Sequence, residues 1–323
     1  MKKLFSGLYY VTLTACLAMN TSALAKNPIT DKMFTADPAA MVYNGTVYLY
    51  TGHDEDTDNK FYKMHDWLLF TSTDMVNWQA HDPIMKVTDF KWAKEHAWAA
   101  HMIERDGKFY FYTSVYQQDK KGFAIGVGVA DTPYGPFKDA RGTALLTNEM
   151  TTHTKNDWDD IDPAIFVEEN GDAYMFFGNL VPKMVKLKDN MIELDGEIKV
   201  LDLPNFTEAL WVHKKGEYYY VSYASGFPET IHYAMSKSIH GPWEYKGLLN
   251  EMAGNSETNH QSIIEFKGKD YFIYHNAAIQ HNSTIGAGGR YRRSVAVDKL
   301  EYNSDGTIKR IIMTSEGITE PVK

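Results

Sequence analysis

The chain has 323 residues, 44% of them hydrophobic and 23% charged, a composition that excludes a disordered or low-complexity protein. Its formal net charge of −9 comes without a basic patch, which argues against a nucleic-acid partner and against anionic membrane surfaces. A single cysteine, Cys16, excludes a disulfide framework.

Residues 1–25 read as a secretory leader: Lys2 and Lys3 open it, Leu4 to Met19 form an apolar stretch, and Ala23-Leu24-Ala25 is an A-x-A cleavage site. The stretch is too short and too interrupted by Ser6, Thr12 and Thr14 for a transmembrane anchor. Leu13-Thr14-Ala15-Cys16 also resembles a lipobox, so lipidation at Cys16 is the alternative to cleavage after Ala25. Either way the protein is expected outside the cytoplasm, periplasmic, extracellular or anchored to an outer membrane.

From Asp37 onwards one unit recurs: a short apolar strand, a tight glycine turn, an aromatic strand, and then a strand of small and β-branched residues. The turn glycines are Gly45, Gly107, Gly171, Gly216 and Gly268. Aromatic runs such as FYFY, YYYV and DYFIY favour strands, and Asn-Gly, Asp-Gly and Lys-Gly between them are hairpin signals. The nearest thing to a helical period is Phe90 to Met102, and it is short. Five copies of about 45 to 65 residues predict an all-β, five-bladed β-propeller over residues 26–323, with no linker dividing it. A two-sheet sandwich is the structural alternative.

Counting back eight or nine places from each turn glycine reaches Asp37, Trp98, Asp162, Glu208 and His260. Propeller symmetry would gather these five around one axis. Prolines after Asp37 and Asp162 bias both aspartates towards extended backbone. An Asp before Pro is often only a turn initiator, and Glu208 alone suggests a solvated face. Three carboxylates at matching places suit glycoside cleavage, where one carboxyl protonates the leaving oxygen and another activates water or attacks.

Ala36-Asp37-Pro38, Ile161-Asp162-Pro163 and Thr207-Glu208 before an aromatic strand resemble the triad of glycoside hydrolase family 43, five-bladed propellers that invert the anomeric centre. The resemblance runs from Asp37 to about Tyr302. TGHDE at Thr51, NHQSIIEFKGKDYFIYHNA from Asn259 and GRYRRSVAVDKLEYNSDGTI from Gly289 resemble the arabinofuranosidase and xylosidase branch. It implies Asp37 as general base, Glu208 as general acid and Asp162 as the residue that tunes and orients the acid. It also implies Arg292 as a sugar-binding arginine and His275 as a residue that helps hold an ion, often calcium, through water. No cofactor is needed for the chemistry.

Phe34, Trp98 and Trp158 are candidate sugar-stacking rings, with core packing as the alternative for each, and His260 is a candidate binding residue. The acidic run Asp54 to Asp58 lacks the glycine and final Glu of an EF-hand loop and reads as a solvated loop. The expected protein is thus a monomeric exo-glycosidase acting on plant hemicellulose, α-L-arabinofuranosidase before β-D-xylosidase. A fructan hydrolase lacks its signature residues here. A non-catalytic carbohydrate-binding propeller is the alternative from another class.

Overall fold

The computed structural model describes residues 26–55, 61–151, 156–254, 256–279 and 285–323. The leader with Cys16, and Asp56 to Asp58 of the acidic run, lie outside the described residues. The rest is five antiparallel sheets in chain order, the five-bladed β-propeller that the repeat predicts.

The first blade is built on Thr35–Tyr43, Thr46–His53 and Asp66–Ser72, the second on Ala100–Arg105, Lys108–Gln117 and Phe123–Ala130. The third comprises Ala164–Val167, Ala173–Phe177, Lys183–Leu187 and Leu194–Val200, and the fourth Phe206–Lys215, Tyr218–Ser225, Thr230–Ser236 and Glu244–Asn250. The fifth has three strands, Gln261–Phe266, Lys269–Asn276 and Ser294–Leu300. The Phe90 to Met102 stretch is no helix: Ala93–Glu95 and its last residues, from Ala100, are strands of the second blade.

Tight turns hold each inner hairpin. Asn44-Gly45, Asp106-Gly107 and Lys267-Gly268 all have positive φ at both residues, which a two-residue type I′ connection requires. The ring is closed by the segment before the first blade. Ile29 and Thr35 donate amide hydrogens to Val295 and Arg293 on the fifth blade. Asn27 adds side-chain bonds to the Val297 amide and carbonyl at 2.9 and 3.2 Å.

Hydrophobic layers fill the gaps between neighbouring blades. Trp67 packs edge-on against Phe111 between the first and second, ring centroids 5.4 Å apart. Trp211, on the fourth blade, donates its indole N–H to the Ile263 carbonyl of the fifth at 3.1 Å. Burying such rings at about 25 cal/mol per Å² of apolar surface is what fixes blade against blade. The first strands of the blades, packed in this way, bring residues far apart in sequence to one end of the ring. Among the described residues no helix is long and apolar enough to cross a membrane.

Candidate active site

The inner strands are irregular where they carry the acids. Pairing in the first blade slips between Ala36 and Ala39, and in the fourth between Phe206 and Trp211. Asp37 and Asp162 have φ of 48° and 58°, and Ala209 has 59°. The extended backbone expected before proline is therefore not adopted. Left-handed geometry is uncommon for non-glycine residues, costs on the order of 1–3 kcal/mol each, and concentrates at functional sites. It also refines the repeat register: Ala209 occupies the place of Asp37 and Asp162, so Glu208 stands one residue earlier. The kinked strand ends aim all three side chains into one cavity.

That cavity has a volume of about 290 Å³ and is lined by Asp37, Asp162, Glu208, Glu229, His260 and Arg293, with Trp98, Asn179 and Thr258 among the walls. Phe61, Trp158 and Phe227 line it too and are 41%, 41% and 61% exposed, which puts them at its mouth. Trp98 stacks on Phe123 at 4.1 Å between centroids and donates its indole N–H to the Tyr62 carbonyl. A larger groove of about 1040 Å³ lies along the closing segment, and Asp31 is the one acid among its described lining residues.

Asp37 is surrounded by positive and donor groups. Arg293 Nη1 lies 2.9 Å from Asp37 Oδ1, and the same guanidinium grips Asp54 with Nε and Nη2, both at 2.9 Å. The Tyr62 ring covers it at 4.8 Å. Burial alone would raise the Asp37 pKa, but Arg293, with His275 and His260, holds it well below the usual carboxylate range. Asp37 is thus an ionised base.

The other two acids behave in the opposite way. Burial raises the pKa of Asp162 well above its usual value, and the nearby charges of Glu208 and Asp37 push in the same direction. Its Oδ2 accepts the Ala209 amide hydrogen at 2.9 Å, which ties Asp162 to the residue after Glu208. Glu208 is raised by burial and then by the charge of Asp37, against a hydrogen bond from Asn179 Nδ2 at 2.7 Å. The charge of Asp37 thus bears on Glu208, and Glu208 and Asp162 disfavour each other's ionisation. His260 Nδ1 stands between the aspartates, 3.7 Å from Asp37 Oδ1 and 3.9 Å from Asp162 Oδ2. Burial pushes its pKa down to about 4, so it is neutral at pH 7.

Several sequence expectations change. Arg293 and Arg290, and not Arg292, line the cavity, while Arg292 lies over the Phe34 ring at 5.7 Å. Phe34 itself is buried and is not part of the cavity wall. Asp54 is 1% exposed and clamped to Arg293, so the start of the acidic run is no solvated loop. His275 lies between Asp37 and Thr258. Its Nδ1 accepts the Asp37 amide hydrogen at 3.1 Å and its Nε2 lies 3.0 Å from the Thr258 carbonyl. Among the described residues no three His, Cys, Asp or Glu side chains converge as a metal cluster. An ion expected beside His275 would be held through water, and no step is assigned to it.

Glu229 and Asn179 went unnoticed in the sequence. Neither lies at a repeat-equivalent position, and only the folded chain reveals that a glutamate after a Gly-Phe-Pro loop reaches the cavity. Behind Asn179, the buried Lys183 Nζ holds Asp159 and Asp160 at 3.1 and 2.8 Å. The Asn179 amide donates to the Asp159 carbonyl at 2.8 Å, and Asn156 Nδ2 donates to Asn179 Oδ1 at 3.1 Å. That second bond turns the Asn179 NH₂ towards Glu208.

Residues 25–308 match the family model of glycosyl hydrolases family 43. A xylosidase/arabinosidase of Humicola insolens is 31% identical, over 87% of this chain and 98% of that protein. The arabinoxylan arabinofuranohydrolase of Bacillus subtilis is 30% identical, over 96% of this chain and 71% of its own. Among solved structures, a β-xylosidase/α-arabinofuranosidase from a compost metagenome, in complex with xylotriose and calcium-free, superposes with a TM-score of 0.78. It is 28% identical and the match covers 88% of this chain and 97% of that one. With its five blades and its cluster of two aspartates and a glutamate, the chain belongs to glycosyl hydrolase family 43 and is a hydrolase of that kind.

Proposed function

We propose that the protein is an exported, monomeric, inverting exo-glycosidase that removes α-L-arabinofuranosyl units from arabinoxylan or arabino-oligosaccharides. The observation that carries this reading is the contrast inside one small cavity: Asp37 held ionised by Arg293, and Glu208 held towards its protonated form by burial. In the proposed reaction Asp37 takes a proton from water as the water oxygen attacks the anomeric carbon. Glu208 gives its proton to the glycosidic oxygen as the bond to that oxygen breaks. Asp162 fixes the backbone beside Glu208 through the Ala209 amide. Trp98, Trp158 and His260 contact the sugar, and Arg293 takes the part expected of Arg292.

A cavity of about 290 Å³ is at the lower end for small-molecule sites, which supports accommodation of a terminal sugar rather than a continuous chain. The leader at residues 1–25 supports export. The same acids serve a β-D-xylosidase, and the xylotriose-bound structural relative favours that as the second reading.

Proton NMR of the enzyme acting on wheat arabinoxylan, read before mutarotation, tests the proposal. Free arabinose appearing first as the β anomer supports an inverting α-L-arabinofuranosidase. First appearance as the α anomer overturns inversion. Xylose from xylo-oligosaccharides, without arabinose, replaces the substrate assignment with the second reading.

A further inference from the structure

Glu229 is a fourth carboxyl in the cavity, and the proposed reaction gives it no part. It precedes the strand Thr230–Ser236 and is 1% exposed. Its backbone amide donates to the Glu257 carbonyl at 2.9 Å, and its Oε2 accepts the Asn259 amide hydrogen at 2.8 Å. Asn259 is itself fully buried, its side chain donating to Asn250 Oδ1 and the Glu251 carbonyl. Glu229 is therefore fixed at its backbone and at one oxygen, and its carboxyl hydrogen-bonds the carboxyl of Glu208.

Charge decides what such a pair must be. The described cavity wall carries four carboxyls: Asp37, Asp162, Glu208 and Glu229. Its guanidiniums are Arg293 and Arg290. Arg293 is shared by Asp37 and Asp54, and Arg290 pairs with Glu257 at 2.7 Å. His260 is neutral at pH 7. The acids bearing on Glu229 are Glu208, on the first strand of its own blade, and Asp162, on the third blade. Two adjacent buried carboxyls without a cation between them cannot both ionise, so a proton stays with the pair. Burial, and the charge of Glu208 once Glu208 has given up its own proton, keep that remaining proton on Glu229.

We propose that Glu229 is a positioning residue for Glu208: a neutral carboxylic acid whose O–H donates a hydrogen bond to the carboxylate that Glu208 becomes on giving up its proton. The inference rests on the reading of Glu208 as general acid. During cleavage the Glu208 proton passes to the leaving oxygen, the glycosidic bond breaks, and the proton of the attacking water goes to Asp37. The charge left on Glu208 is then met by two fixed donors, Glu229 O–H and Asn179 N–H. Donors aimed at developing charge in a shielded site need no reorganisation, which makes Glu208 a stronger acid than its burial allows.

Two variants test this, each assayed on arabino-oligosaccharide or xylo-oligosaccharide and on the matching 4-nitrophenyl glycoside, whose leaving group needs no proton. Glu229→Met fills the volume and removes the donor. Its kcat on the oligosaccharide is expected to fall about 100-fold, in the range of one lost transition-state donor, and the aryl glycoside is expected to lose less than about tenfold. Its alkaline limb moves to higher pH, because the Glu208 carboxylate loses a donor. Glu229→Gln keeps an N–H donor and restores kcat to within about fivefold of the parent, with the limb near its original place.

An alkaline limb that moves downwards in both variants means Glu229 is ionised in the parent, and overturns the proposal. Equal losses on both substrates with a fixed limb mean that Glu229 only supports the structure, and overturn it too. Glu208→Ala, run alongside, separates the two levels. If it spares the aryl glycoside while the Glu229 variants move nothing, this inference alone fails. If Glu208→Ala also fails to distinguish the substrates, the general-acid reading falls with it.

Discussion

The two sides of the cavity solve the same problem, a carboxyl removed from bulk water, in opposite ways. On the Asp37 side the protein supplies countercharge: Arg293 at 2.9 Å, itself steadied by Asp54 and covered by Tyr62. On the Glu208 side it supplies neutral donors, Asn179 to Glu208 and Ala209 N–H to Asp162, and among the described residues no guanidinium bonds either acid. The first side lowers a pKa and the second leaves burial to raise one. Two carboxyls of nearly equal intrinsic acidity are thereby separated into a base and an acid that coexist at one pH, which is the general requirement for concerted acid–base cleavage. Backbone strain at Asp37, Asp162 and Ala209 belongs to the same design, because at these kinks Asp37, Asp162 and Glu208, the neighbour of Ala209, turn into the cavity.

The strongest way to break this contrast is to remove the countercharge. Arg293→Met leaves Asp37 and Asp54 buried without their cation, and breaking a buried pair from one side costs about 3–5 kcal/mol of stability. Thermal or urea unfolding at pH 7 should show that loss. The sign with pH follows from Asp37: its folded pKa lies below the unfolded one, so the stability it contributes is present at neutral pH and fades as pH falls through the carboxylate range. The parent should therefore lose its advantage over Arg293→Met as the buffer is acidified. The acidic limb of the residual activity should move to higher pH, as Asp37 returns towards the ordinary range. An unmoved limb would show that Arg293 does not set the protonation of Asp37.

The next effect sharpens the other side without touching the cavity wall. Lys183 is fully buried and pairs with Asp159 and Asp160, and Thr151 Oγ1 also bonds Asp160. This knot anchors the loop that carries Asp162 and the backbone that holds Asn179. Lys183→Met leaves both carboxylates without their cation, at a cost of about 3–5 kcal/mol if the loop stays closed and less if it opens to water. Calorimetry measures the cost. Activity on an unactivated oligosaccharide, assayed well below the new melting temperature, should fall about tenfold or more from misplacement of Asn179 and Asp162.

How much of this was legible beforehand depended on whether the feature repeats. The blades announce themselves through Gly45, Gly107, Gly171, Gly216 and Gly268, each preceded by an apolar strand, and the three acids stand near the same distance from that mark. What does not repeat was hidden. Glu208 lies one residue out of register because a bulge precedes Trp211, a displacement set by backbone geometry rather than by residue type. Arg293 and Arg292 are adjacent, and only the folded backbone just before the strand Ser294–Leu300 decides which of them reaches Asp37. Asp54 looked like surface because acids usually are, and its burial follows from a partner 239 residues away. The outer strand Leu194–Val200 is largely exposed and has no buried residue, so it lacks the apolar pattern that marks the inner ones.

The smallest of these effects isolates a single neutral donor. Asn179 Nδ2 gives Glu208 a hydrogen bond of 2.7 Å, and that bond opposes the rise that burial and Asp37 produce. Asn179→Ala removes it and keeps every charge. A bond to a charged acceptor contributes about 1.5–3 kcal/mol, shared between the carboxylate and whatever water replaces the donor. The alkaline limb should therefore move up by about one pH unit at most, since a full unit corresponds to about 1.4 kcal/mol. kcat on the oligosaccharide should fall about tenfold, because the Glu208 carboxylate formed during cleavage is less well held. Asn179→Asp supplies the opposing case: a new negative charge beside Glu208 should push the limb further up than Ala does. If Ala and Asp shift the limb alike, the field at Glu208 is set by Asp37 and burial alone, and Asn179 only shapes the cavity wall.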